Sequence, residues 1–280
     1  MRKFFLISLI LLCSILFIIK FNNHNKYLLV HVIDVGQGDS TFIATPSGKT
    51  ILIDGGEDKN YREVLVNIRK NKFNHIDYMI SSHSDSDHNG SLDKILKKIN
   101  TNKIFMPKEN ADNKDYLELI YEASNQHKKI NRIKKGDKIQ IDNDTKIFVL
   151  SPESIKEKPN DNSLVLLIKY KNQFLLFTGD ASKDIESKII TKYRLPKCTF
   201  LKVGHHGSKN SSSKEFLDII KPKISVISCG YMNRHSHPHK ETLNRLKNTN
   251  TIIYRTDING DLTFYLDGKN IYAKDTYQTN

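Results

Sequence analysis

The chain has 280 residues and a formal net charge of +13, from 44 Lys and Arg against 31 Asp and Glu. That length buries a core without needing disulfide or metal staples, and 38% hydrophobic residues, grouped in distinct apolar runs, exclude a disordered polyelectrolyte. The basic excess favours nucleic acid, an anionic membrane face or an acidic polymer over a cationic partner. The competing reading is a Lys- and Asn-rich composition with solvated charges, because no dense basic run stands out.

Arg2 and Lys3 precede an unbroken apolar run over residues 4–19, and Lys20 with the polar stretch 22–26 follows it. This is the layout of a signal peptide or signal anchor. The run approaches the roughly 20 residues of a membrane-spanning helix once Lys20 snorkels. No small-x-small cleavage site precedes Lys26, so the expectation is an uncleaved single-pass transmembrane helix. Its leading positive charge places the N-terminus inside and the body outside the cell membrane; a cleaved, secreted form is the alternative. Residues 1–26 are thus read as anchor and linker, and residues 27–280 as one domain.

Within that domain the pattern is strands punctuated by Gly-containing turns. Residues 28–35 read as a strand, and 41–45 with 49–54 as a hairpin around Pro46-Ser47-Gly48. A helix over 61–70 and a strand over 78–82 follow, then a helix over 91–99 with apolar Leu92, Ile95, Leu96 and Ile99. A strand is expected over 103–106, and a helix capped by Asp112 running to about residue 128. Four strands come next (138–141, 146–150, 163–170 and 173–178), then a helix over 182–192 and a strand over 199–203. The chain ends with a helix over 213–220, a strand over 224–228, a helix over 241–247, and a hairpin of 251–255 with 261–266 turning at Asn259-Gly260. Hairpins mixed with helices predict α/β layers with mixed strand pairing. Cys198 and Cys229 match no metal-ligand spacing; a disulfide is one option for an exported domain, and Cys229, inside an apolar run, is expected in the core.

The chemistry is concentrated in Ser82-His83-Ser84-Asp85-Ser86-Asp87-His88-Asn89-Gly90, directly after an apolar strand. In an extended loop alternate residues share a face, which brings His83, Asp85 and Asp87 together, and His88 turns at the start of the next helix. Imidazoles and carboxylates packed this closely repel one another and desolvate badly unless a cation lies between them. Neutral imidazole and hard carboxylate oxygen are ligand types for divalent metals.

His83-x-Asp85-x-Asp87-His88 resembles the His-x-His-x-Asp-His signature of the metallo-β-lactamase superfamily, with Asp85 in place of the second His. That variant is similar to the ComEC-like branch, the extracellular domain of a competence protein and its stand-alone relatives. The stretches His31-Val32-Ile33-Asp34-Val35-Gly36-Gln37-Gly38-Asp39-Ser40, Ile51-Leu52-Ile53-Asp54-Gly55-Gly56, Phe177-Thr178-Gly179-Asp180, Leu201-Lys202-Val203-Gly204-His205-His206-Gly207-Ser208 and His235-Ser236-His237-Pro238-His239 resemble further motifs of that branch. The resemblance spans residues 28–267 and implies an αββα sandwich.

It also implies a ligand set. One metal would take His83, Asp85 and a third group, the second Asp87, His88 and His205, and Asp180 would bridge them. Many relatives supply a third His before the bridging Asp; here that stretch reads Pro159-Asn160-Asp161-Asn162-Ser163. The oxygen-rich set makes Mn²⁺ a rival to Zn²⁺. Of the adjacent pair, His205 is chosen as ligand because it follows the strand, and His206 is placed near substrate. Asp87 would orient the attacking water and accept its proton, while His206 or His237 stabilises developing charge. His237 has the alternative of capping the helix near His239. Asp54 is expected to orient a ligand rather than bind metal. Gly36, Gly38, Gly55 and Gly56 read as turn or close-packing residues, not a phosphate cradle. Among Ser208, Ser211, Ser212 and Ser213, a helix cap and contacts to an anionic substrate are both expected. The function implied is a metal-dependent phosphodiesterase or nuclease acting on DNA outside the cytoplasmic membrane. The alternatives are hydrolysis of another ester, thioester or lactam, or a polyanion-binding module with a degenerate metal site.

Overall fold

A computed structural model describes residues 26–109, 111–156 and 158–274. The expected membrane helix lies outside these residues; among the described residues no helix is long and apolar enough to cross a membrane. The elements in chain order are β1 (Leu28–Val32), β2 (Thr41–Ala44), β3 (Thr50–Ile53), α1 (Tyr61–Lys70), β4 (His75–Ile80), α2 (Ser86–Asn89), α3 (Leu92–Lys98), β5 (Asn100–Pro107), α4 (Lys114–Asn125) and β6 (Ile130–Ile133). They continue with β7 (Lys138–Gln140), β8 (Thr145–Ser151), β9 (Val165–Tyr170), β10 (Gln173–Phe177), α5 (Lys183–Lys192), β11 (Phe200–Lys202), α6 (Lys214–Ile220), β12 (Ile224–Ile227), α7 (Lys240–Lys247), β13 (Ile252–Arg255), α8 (Thr256–Asn259), β14 (Leu262–Leu266) and β15 (Ile271–Ala273).

Two sheets form, in the orders β15-β14-β1-β2-β3-β4-β5-β6 and β13-β12-β11-β10-β9-β8-β7. Strand alternation explains how they stack. In β9, Leu166, Ile168 and Tyr170 join β1 residues Leu28, Val30 and Val32 in a core between the sheets. Val165 and Leu167 of the same strand face outward, onto Ile185 and Ile189 of α5 and Phe216 and Leu217 of α6. On the far side, Leu29, Phe42 and Leu52 meet Val64 and Ile68 of α1, Ile95 and Leu96 of α3 and Leu119 of α4. Each such side chain contributes about 1.5–3 kcal/mol on burial. The result is the expected helix–sheet–sheet–helix sandwich.

Pairing is parallel for β3 with β4 and along β10, β11 and β12, and antiparallel through β1, β2 and β3. Ligand-bearing loops in α/β sheets follow the carboxyl ends of parallel strands, and the loops after β3, β4, β10 and β11 meet at one edge of the sandwich.

Three sequence expectations are corrected. The last two strands are not a hairpin: β13 pairs with β12 in one sheet and β14 with β1 in the other, and α8 carries the chain across. The turn signal at Asn259-Gly260 is real, with Gly260 at φ 63°, but it ends a helical turn instead of reversing a strand. Asn113, not Asp112, caps α4, its side chain accepting from the Tyr116 amide. A strand, β6, occupies residues to which the sequence reading assigned no element; its Asn131 and Arg132 hid the strand pattern. Cys198 and Cys229 are buried free thiols, so they form no disulfide, and Cys229 lies in the core as expected.

Candidate metal centre

Four loops build the site. After β3, Asp54 adopts a left-handed backbone (φ 61°) and its carboxylate reaches across to the loop after β4. One oxygen accepts the Ser82 amide at 2.7 Å and the other lies 2.9 Å from His88 Nδ1. The backbone seals the same junction through Gly55 N–H to the His88 carbonyl at 2.7 Å. After β10, Asp180 is held by its amide donating to Ser163 Oγ at 3.1 Å. After β11, His205 and His206 both turn left-handed (φ 50° and 52°), which sends successive rings to different sides.

Asp180 lies at the centre. Its Oδ1 stands 3.1 Å from His88 Nε2 and 3.8 Å from His206 Nε2. Its Oδ2 stands 3.9 Å from His83 Nε2 and 3.6 Å from His205 Nε2. Asp87 Oδ2 lies 3.2 Å from His206 Nε2, and the His88 and His206 Nε2 atoms approach to 3.3 Å. Asp85 sits at the rim, 36% exposed, its Oδ2 3.6 Å from His83 Nε2. Within 4.8 Å, ligand atoms group as His83, His88 and Asp180, and as Asp87, His88 and His206.

The tautomers sharpen the picture. With His88 Nδ1–H donating to the Asp54 carboxylate and His206 Nδ1–H donating to the Ser228 carbonyl (3.0 Å), both Nε2 lone pairs turn inward. Lone pairs then face lone pairs and carboxylates about 3 Å apart, an arrangement stable only with positive charge between them. Buried His83 Nε2 and Asp180 Oδ1 have no hydrogen-bond partner. With no cation, protons must serve. Burial opposes charging the His206 imidazole, but Asp180, Asp39 and Asp87 raise it to about 10, and Asp180 and Asp54 likewise hold His88 well above its usual range. Burial would push the Asp87 and Asp180 carboxyls up; His206 and His88 hold Asp87 down to about 2 and Asp180 well below the carboxylate range. Orphaned buried nitrogen and oxygen atoms in a mixed imidazole–carboxylate set fit divalent metal ions.

Several assignments change against this geometry. His206 is the imidazole that joins Asp87 and His88, whereas His205, 30% exposed, lies on the outer side against Asp180 Oδ2. Two consecutive left-handed residues turn the second ring inward. His237 does not cap α7: the N-cap is His239, and the His237 ring packs edge-to-face 5.6 Å from that of His205, its own amide donating to Asn233. Burial and its histidine neighbours depress His237 to about 4. Ser208, Ser211, Ser212 and Ser213 are all buried, and Ser213 caps α6. They shape the loop, Ser211 Oγ donating to the Ala181 carbonyl at 2.8 Å.

Sequence reading passed over three residues. Lys202, 2% exposed, places Nζ 2.7 Å from Asp39 Oδ1, and Asp39 lies 3.3 Å from His206 Nδ1. A lysine inside an apolar strand was the available signal, since an unpaired one is almost never buried. The Asp39 amide also donates to the Asp87 carbonyl at 3.0 Å, and a Cβ on Gly38 (φ 141°) would overlap that same oxygen. Asn160 Nδ2 lies 3.3 Å from Asp180 Oδ2 and 3.4 Å from His205 Nε2, in the stretch that carries no third histidine. A cleft of about 790 Å³ opens over the cluster, lined among others by Glu57, Asp85, Asn160, His205, Tyr231 and Arg234.

A family model described as the metallo-β-lactamase superfamily matches residues 33–231. The chain is 32% identical to ComE operon protein 3 of Bacillus subtilis, covering 84% of this chain and 32% of that protein. It is 28% identical to competence protein ComA of Neisseria gonorrhoeae, covering 88% and 33%. The chain thus spans about a third of the length of the curated relatives it matches. Among solved structures, CmlA, a diiron β-hydroxylase from Streptomyces venezuelae, superposes with a TM-score of 0.59 at 13% identity, over 85% of this chain and 54% of that one. YhfI from Bacillus subtilis, a metallo-β-lactamase fold protein, gives 0.55 at 11% identity over 85% and 99%.

Proposed function

This chain belongs to the metallo-β-lactamase superfamily, and on that premise we propose that it is a two-metal phosphodiesterase that cleaves DNA outside the cytoplasmic membrane, where its N-terminal segment anchors it. The observation that carries the reading is the Asp180 carboxylate, whose two oxygens face two separate sets of inward lone pairs. Asp87, His88 and His206 with Oδ1 would hold one cation, and His83 and Asp85 with Oδ2 the other, Zn²⁺ and Mn²⁺ both suiting the set. When bound, such a pair lowers the pKa of water towards neutrality and offsets charge on the attacked group.

The chain's own groups have separate tasks. Asp54 and the Ser228 carbonyl fix the tautomers and directions of His88 and His206. Asp87, its side chain 29% exposed, reaches from the cluster into the cleft and is placed to orient water and accept its proton. Burial lowers the His205 pKa, so at neutral pH its imidazole is uncharged and can hydrogen-bond a phosphoryl oxygen beside Asn160. His237 stands behind His205 as its support. A phosphodiester is favoured over a lactam or thioester because the net charge of +13 suits a polyanion, and because two of the matched relatives are named recombination protein 2 and competence protein ComA.

The test is turnover of bis(p-nitrophenyl) phosphate and of linear DNA by the chelator-stripped chain reloaded with Mn²⁺ or Zn²⁺. His88→Ala and Asp180→Ala should abolish both activities. Turnover of a lactam or thioester with neither phosphodiester touched, or full activity in both variants, would overturn the reading.

A further inference from the structure

Tyr231 and Met232 are 77% and 85% exposed, the most exposed of the large apolar side chains among the described residues. They sit on the loop after β12, whose Tyr231, Arg234 and His235 line the cleft above the metal-ligand cluster. This loop is not loose chain. The Asn233 side chain donates to the carbonyls of Gly230 (2.8 Å) and His237 (2.6 Å) and accepts from the amides of His235 (3.2 Å) and His237 (2.9 Å). Its two ends are pinned as well: Gly230 N–H reaches Gln37 Oε1 at 3.2 Å, and the His239 amide reaches the Gly207 carbonyl at 3.0 Å.

A loop fixed by this many bonds has no packing need to expose a phenol ring. Left free at a cleft mouth, the ring is a ready contact surface whose ordering cost is already met by the fold. Arg234 and His235 line the same cleft, as do Glu57, Asp85, Asp87 and Asp180. An aromatic face and a cation presented by one loop to one cleft match a nucleobase and its phosphate. A base in a duplex has both faces covered by its stacked neighbours, so a ring that takes a base face selects unpaired nucleotides.

Resting on the phosphodiesterase reading above, we infer that the Tyr231–Arg234 loop is a single-strand clamp: Tyr231 stacks an unpaired base and Arg234 holds the adjoining phosphate, which threads one strand across the metal-ligand cluster.

Fluorescence anisotropy of a labelled, phosphorothioate-linked oligothymidylate on the metal-loaded full chain tests this without cleavage. Tyr231→Ala should weaken binding about 5- to 150-fold, the range one base–aromatic stack contributes, while Tyr231→Phe stays close to wild type. Arg234→Ala should weaken binding and reduce the salt slope by about one phosphate contact. A blunt duplex should compete poorly. An unchanged affinity in Tyr231→Ala, a Phe variant as weak as Ala, or a duplex that competes equally overturns the clamp. So does lipid-vesicle flotation or self-association that depends on Tyr231 while strand binding does not. Wild-type turnover of bis(p-nitrophenyl) phosphate separates the two ideas. No turnover, with Tyr231-dependent strand binding, removes the enzyme and keeps the clamp; turnover with Tyr231-independent binding removes the clamp alone.

Discussion

Replacing Lys202 by Met probes the buried charge chain behind the centre. Lys202 Nζ and Asp39 Oδ1 are 2.7 Å apart, with both side chains under 8% exposed. At an effective dielectric near 20 the attraction is about 6 kcal/mol, much of it offset by desolvating both ions. Removing one partner of such a pair strands the other and costs about 3–5 kcal/mol. Lys202→Met should therefore remove about a fifth or more of a domain stability of about 5–15 kcal/mol, read by urea unfolding of the metal-loaded chain. Asp39 also faces His206 Nδ1 at 3.3 Å, so metal affinity should fall about 10- to 100-fold. Because the damage is an orphaned carboxylate, Asp39→Asn in the same chain should recover most of the stability. A Lys202→Met variant within about 0.5 kcal/mol of wild type, or a double variant that costs the sum of the singles, would refute the reasoning.

Three further outcomes follow from the geometry. His206→Ala should lose one of about two bound metals by elemental analysis, whereas His205→Ala should keep both and lose turnover; the reverse pattern would restore the choice of His205 as ligand. Gly38→Ala should push the Asp87 carbonyl aside, costing about 1–3 kcal/mol in thermal or urea unfolding and weakening metal binding. Buried Glu186 accepts the Ser212 and Ser213 amides at 2.6 and 2.7 Å, and burial raises its carboxyl to about 7. The folded state then holds a proton that the unfolded state has released, so stability should fall as pH rises from the unfolded value of about 4.5 towards 7, by up to about 3 kcal/mol. Glu186→Gln should flatten that slope in unfolding measured across the window; an unchanged slope would assign it elsewhere.

Most of the fold was legible because its elements carry strong local signals. The helix over Tyr61–Lys70 matches its sequence expectation at both ends, since its apolar stripe is regular. The pairing of β13 and β14 was not legible: a short turn between two strand-like runs looks the same whether the strands pair with each other or with distant partners. The site divides similarly. The ligand atoms of His83, Asp87, His88 and Asp180 come together on loops that follow β4 and β10, one strand from each sheet. The identity of the inward histidine depended on two left-handed backbone angles that glycine-free residues seldom adopt, and no spacing rule encodes them. Asp39 and Lys202 lie 163 positions apart in number, and only the folded sheets bring the pair together behind His206.

The central claim is that carboxylates and imidazoles from three stretches share divalent cations. Metal content of the full chain, purified without chelators and reloaded by dialysis against Zn²⁺ or Mn²⁺, tests it most directly. About two ions per chain are predicted, with a marked loss in Asp180→Ala. A protein that takes up neither ion, or an Asp180→Ala variant that holds metal as well as wild type, would contradict the account.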